Sequence, residues 1–142
     1  MKALKTFVAA LLLVFVGSAY AENVEIINLE PGDVVSADGF NIIGKVSGYD
    51  PGSELLVVIE VCSHAEPSCE DAFLDCESIL LTGRISIQNQ VMKRICPVKR
   101  GNIMIIGKSG DYLLDDLLDI RLKIWNPMKD EWIVDEVSVF TE

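Results

Sequence analysis

DIRLKIWNPMKDEWIVDEVSVF, residues 119–140, decides the fold class. Ile120, Leu122 and Ile124 alternate with Arg121, Lys123 and Trp125, and beyond Asn126-Pro127 a second run carries Val137 and Val139 at the same spacing. Alternation at period two turns one side of an extended strand to a core and the other to water. Two such runs about a short polar connector predict an antiparallel hairpin.

Outward from that hairpin the same grammar repeats. Short apolar runs bounded by Gly, Pro, Asn or Asp predict strands at Val24–Leu29, Phe40–Val46, Glu54–Cys62, Ile79–Gln88, Val91–Val98 and Asn102–Ile106, with Asp119–Trp125 and Glu131–Phe140 closing the chain. Pro31-Gly32-Asp33, Asp38-Gly39 and Asp50-Pro51-Gly52 carry tight-turn chemistry, in which Pro presets φ and Gly accepts a positive one. Helix has two candidate places, Glu70–Glu77 and Asp111–Leu118. Seven to eight short strands without alternating long helices predict an all-β, antiparallel sandwich. Its expected core is Ile26, Ile42, Val57, Ile59, Ile85, Ile105, Ile120, Leu122, Ile124, Val137 and Val139.

The stretch INLEPGDVVSADGFNIIGKVSGYDPGSELLVVIE, residues 27–60, resembles the opening of bacterial immunoglobulin-like modules. The likeness lies in a strand, a Pro-Gly turn, a second short piece, a strand ending near Gly, and a Pro-Gly-Ser turn into the next strand. The 119–140 hairpin is similar to their last two strands. What the resemblance implies is an immunoglobulin-like β-sandwich and no activity, since such modules act as spacers, adhesin pieces, carbohydrate binders and chaperone partners. The cysteine-bearing loop from Ser63 to Ser78 and the basic segment after it depart from a plain spacer.

The chain begins with an export pattern. Lys2 and Lys5 precede an apolar run from Phe7 to Val16, and Ala19-Tyr20-Ala21 presents small residues where a signal peptidase reads. The apolar run is too short to span a bilayer. Residues 1–21 are therefore expected to be a signal peptide, leaving 22–142 as a single domain that is periplasmic or secreted, without membrane insertion. Removing the two lysines moves the formal net charge from −10 to −12. So acidic a chain repels nucleic acid.

Export turns the cysteines into expected disulfides. Cys62, Cys69, Cys76 and Cys96 allow three pairings. Alternation from Leu55 puts Cys62 at the rim of its strand beside Glu60, which favours Cys62–Cys69 with Cys76–Cys96 as staples of a long loop, each contributing about 2 to 4 kcal/mol. A helix over 70–76 would hold Cys69 and Cys76 about 10 Å apart, too far to bridge.

Charge is segregated. Residues 78–110 contain no carboxylate but carry Arg84, Lys93, Arg94, Lys99, Arg100 and Lys108. Such a basic segment on an acidic body is either solvated edge or a surface for an anionic partner. Trp125 and Trp132 flank the last turn, as caps of the core or as a platform for sugar or protein. Acidic runs at 66–77 and 111–119 lack the Asp-x-Asp-x-Asp-Gly spacing of a calcium loop, so no metal is expected. His64 is the single histidine, and no nucleophile elbow, metalloprotease helix or complete phosphate loop is present. No enzyme and no cofactor is expected.

The function expected is a binding or assembly module that docks a protein or glycan through Arg84, Lys93, Arg94, Lys99, Arg100, Trp125 and Trp132. The alternative is an inhibitor of a secreted basic hydrolase such as lysozyme, acting through Glu66, Glu70, Asp71 and Asp75.

Overall fold

A computed structural model describes residues 22–76, 93–98, 102–126 and 129–142. The expected leader, the Ile79–Gln88 strand with Ile85, and Arg84, Lys99 and Arg100 lie outside the described residues. Every regular element among the described residues is a strand: β1 (Asn23–Ile26), β2 (Val34–Val35), β3 (Phe40–Ser47), β4 (Glu54–Ser63), β5 (Ser68–Asp71), β6 (Phe73–Cys76), β7 (Lys93–Pro97), β8 (Asn102–Ser109), β9 (Leu117–Asn126) and β10 (Glu131–Thr141).

The strands form two sheets. One has the order β1-β3-β8-β6; the other runs β2-β10-β9-β4, with β5 and β7 both hydrogen-bonded to β4. β7 takes Glu54–Val58 and β5 takes Glu60–Ser63, so the two short strands lie end to end along one edge of β4. Among the described strands only β2 and β10 pair in parallel; the other pairs are antiparallel.

Both sheets contribute to one core, in which Ile42 and Ile105 of the first meet Val57, Ile59, Ile120, Leu122, Ile124 and Val139 of the second. Every expected core residue that is described is buried. The alternation read in the last hairpin reappears along β9 as buried and half-buried positions in strict succession. Close approach of the sheets is marked at Gly107, where an added Cβ would overlap Ile59 Cδ1 across the core. At Asp50-Pro51-Gly52 the Ser53 N–H donates to Asp50 O at 3.1 Å and Gly52 takes φ 92°, the left-handed value that this turn reserves for glycine.

Neither expected helix forms. Residues 70–76 belong to β5 and β6, and the chain passes from one sheet to the other at buried Ala72, whose N–H donates to Ile59 O at 2.7 Å. Strand β4 supplies backbone partners along Ser68–Asp71 that a lone helical turn would lack. From Asp111 to Asp116 the chain is a loop, with Asp111 at φ 65° and Asp115 at φ 56°, and left-handed residues break a right-handed helix. Leu113 and Leu114 stand exposed on it, while Leu118 is already core.

Candidate functional site

The outward face of the larger sheet follows from strand register. Trp132 lies opposite Trp125, Trp125 opposite Leu56, and Leu56 opposite Ile95, so one row crosses β10, β9, β4 and β7. Ile124 and Ile133, the neighbours in sequence, point the other way toward the core. The next row carries Val134, Lys123 and Val58. Trp132, Val134 and Ile95 are 42%, 47% and 60% exposed, an apolar band on the side of the sheet that does not need it for folding.

Geometry within the band is specific. The Trp125 and Trp132 rings are 5.3 Å apart between centroids and inclined at 55°. Lys123 Nζ sits 5.0 Å from the centre of the Trp132 ring. This is a cation–π contact, and the ammonium occupies one face of the indole. The tilted pair is therefore a ridge with a charged flank rather than one flat stacking surface.

Beyond the band the face becomes ionic. Arg121 donates from Nη1 to Glu60 Oε1 at 2.9 Å and from Nε to Glu136 Oε2 at 3.1 Å, a ladder across β4, β9 and β10. One row further, Asp119 accepts from Ser138 Oγ at 2.5 Å and from His64 Nε2 at 2.6 Å. These two hydrogen bonds hold the Asp119 carboxyl below the usual carboxylate range. Histidine, aspartate and serine are thus together, but the carboxylate stands between the other two. Nucleophilic catalysis needs the imidazole in that central place. Ser63 likewise donates to a carboxylate, Asp116 Oδ2, at 2.5 Å.

The cysteines pair as favoured: Cys62 with Cys69 between directly opposed positions of β4 and β5, and Cys76 with Cys96 between β6 of one sheet and β7 of the other. Two disulfides fit an oxidising compartment. No helix among the described residues is long and apolar enough to cross a membrane.

The basic segment is divided. Lys93 and Arg94 occupy successive positions of β7, opposite Val58 and Val57, whereas exposed Lys108 lies on β8 in the other sheet. The backbone positions of the described basic residues are therefore split between the two sheets. The acidic set is divided too: Glu66 and Glu70 are exposed, but Asp75 is buried. Leu56, Ile95 and Val134 were not singled out from the sequence. The signal for Val134 is the unbroken run Trp132-Ile133-Val134, which makes both faces of an otherwise alternating strand apolar.

No protein-family model and no curated protein matches the chain. Among solved structures it is similar to a family 123 glycoside hydrolase of Clostridium perfringens that acts in glycolipid glycan hydrolysis, at 7% identity and TM-score 0.47. The likeness covers 82% of this chain and 23% of that one, and at this level it carries no argument about fold or activity.

Proposed function

We propose that the protein is an exported, non-enzymatic binding or assembly module, periplasmic or secreted after loss of residues 1–21, with an immunoglobulin-like sandwich as its scaffold. Support for the scaffold comes from strand order. The sequences β1-β3-β8-β6 and β10-β9-β4 correspond to the A-B-E-D and G-F-C sheets of that architecture. Its departures are β7, placed between β6 and β8, and bridges that avoid the usual B–F position, here β3 and β9.

The observation that carries the binding reading is the row Trp132–Trp125–Leu56–Ile95. A register-aligned row whose ends, Trp132 and Ile95, are exposed and whose middle, Trp125 and Leu56, is half-buried has the aromatic and aliphatic make-up found at the centre of protein interfaces. The partner is a protein, with Lys123 set to meet a carboxylate on it; the basic segment at Arg84, Lys93, Arg94, Lys99 and Arg100 adds attraction for an anionic one.

The test compares immobilised wild-type protein with Trp132→Ala and Ile95→Glu as bait in periplasmic extract and medium. A species held by the wild type and lost from both variants supports the reading; identical recovery overturns it. A second reading, inhibition of a secreted basic hydrolase, rests on the exposed run His64–Glu70 with Glu66 and Glu70 on it. It requires that Glu66→Gln/Glu70→Gln abolish inhibition of such an enzyme while leaving the tryptophan band intact.

A further inference from the structure

We propose that the Cys62–Cys69 bridge is a thiol-exchange site, at which an incoming thiolate is captured as a mixed disulfide on Cys69 and expels Cys62. This inference is independent of the tryptophan band. The two bridges of the chain differ in access. Cys69 is exposed, and beside it a depression of about 420 Å³ is lined by Cys62, Ser63, His64, Pro67, Ser68 and Cys69. In the other bridge Cys96 is fully buried in the core shared by the two sheets. Exchange needs an approach path to one sulfur, and the exposed Cys69 offers a more open one than the half-buried Cys76 of the second bridge.

The two sulfurs of that bridge also differ. Cys62 is 8% exposed, so a nucleophile meets Cys69. The leaving sulfur, Cys62 Sγ, lies 3.4 Å from Arg121 Nη1, and that guanidinium is held in place by Glu60 and Glu136. A thiolate formed there accepts a charge-assisted hydrogen bond, which lowers the barrier to its departure. Glu60 Oε1, at 3.7 Å from the same sulfur, is placed to accept from Cys62 once it is protonated.

The step balances without an outside oxidant. The thiolate RS⁻ bonds to Cys69 Sγ, the Cys69–Cys62 bond breaks, and its electron pair leaves on Cys62 Sγ. A second thiolate would complete reduction to two thiols. Selectivity follows from charge: the Glu60 carboxylate lies within 4.8 Å of the sulfurs of Cys62 and Cys69, on a chain of formal net charge −10, so a cationic or neutral thiol is preferred over an anionic one.

The experiment treats the folded, oxidised protein with cysteamine, mercaptoethanol or mercaptoacetate at equal thiolate concentration, quenches with acid, labels free thiols and maps the peptides. The expected result is an adduct on Cys69, label on Cys62, an intact Cys76–Cys96 bridge, and rates in the order cation, neutral, anion that converge at high salt. Arg121→Gln should slow the opening several-fold, and Arg121→Lys should restore part of the rate. An adduct on Cys62, equal opening of both bridges, or no opening of the folded protein overturns the proposal. So does an unchanged or raised rate in Arg121→Gln. The adduct position in the wild type decides the matter even if a variant does not fold.

Discussion

Replacing Asp116 should unfasten the tip of the β4–β5 hairpin at a cost calculable from its contacts. This side chain is 2% exposed; Oδ2 accepts from Ser63 Oγ at 2.5 Å and Oδ1 from Ala65 N at 2.9 Å. Burial alone pushes the carboxyl up, yet hydrogen bonds from Ser63 and from the backbone N–H groups of Ala65, Leu117 and His64 outweigh it and hold the group below the usual range. Its own backbone is fixed as well, since Asp116 N donates to Thr141 Oγ1 at 2.8 Å. Hydrogen bonds to a charged acceptor contribute about 1.5 to 3 kcal/mol each. Ala65 is exposed and Ser63 half-buried, so freed donors recover part of this from water. Asp116→Ala should therefore cost about 3 kcal/mol, which lowers Tm by roughly 10 °C in a domain of this size. Asp116→Asn, which keeps one acceptor oxygen, should cost about half as much. Urea unfolding of the oxidised protein, followed by tryptophan fluorescence, measures both.

The sign with pH is fixed by the direction of the shift. A folded value below the unfolded one of about 3.9 makes the contribution of Asp116 complete above that pH and removes it as pH falls through the folded value. The stability gap between wild type and Asp116→Asn should therefore narrow in acid. A loss of under about 1 kcal/mol in Asp116→Ala, or a gap unchanged between pH 6 and pH 2, would refute the hydrogen-bond account.

Three further outcomes are expected. Gly107→Ala should destabilise by about 1 to 3 kcal/mol, because the new methyl overlaps Ile59 Cδ1. Ile59→Val removes that atom, so calorimetry of the double variant should show a cost smaller than the sum of the singles. Tyr49 is buried, its hydroxyl has no partner among the described residues, and burial with help from Glu22 and Glu131 pushes its phenol up to about 12. Tyr49→Phe should gain about 1 kcal/mol in urea unfolding. Removing both cysteines of a bridge should cost about 3 kcal/mol for Cys76–Cys96 and about 2 kcal/mol for Cys62–Cys69, since the first closes twenty residues and the second seven. Equal thermal midpoints for the two double variants would contradict that ordering.

The long strands were legible because each has one face in the core. Along β9 the alternation of Ile120, Leu122 and Ile124 with polar neighbours predicts both the strand and its burial, and the register of β10 follows from the turn between them. The outward row of the candidate site was legible only in part. Trp125 and Trp132 could be named because they flank a turn, but Leu56 and Ile95 enter the row through pairing with β4 and β9, and pairing is a property of three dimensions. Lys93 and Arg94 show the converse. They adjoin in sequence a run of basic residues, yet the sheet takes β7 to β4 and Lys108 to β3 and β6.

What escaped the sequence was short. β2 is two residues long, while β5 and β6 are Ser-Cys-Glu-Asp and Phe-Leu-Asp-Cys, with only Leu74 as a fully buried apolar side chain among them. Four residues with one core contact cannot offset the entropy of ordering, which is about 1 to 2 kcal/mol per residue for the backbone alone. Each of these two strands holds one end of a disulfide. Cys69 fixes β5 in register on β4, and Cys76 fixes β6 to β7 across the core. Constraining the unfolded chain supplies what the apolar pattern lacks, so the cysteines fall where hydrophobic alternation fails. The C-x6-C-x6-C spacing was therefore itself a strand signal: it marks two extended segments too polar to be held by burial, one on each side of the sheet change at Ala72. Read as loop staples, the cysteines predict the correct bonds with the wrong local structure. Read as substitutes for a core, they predict both.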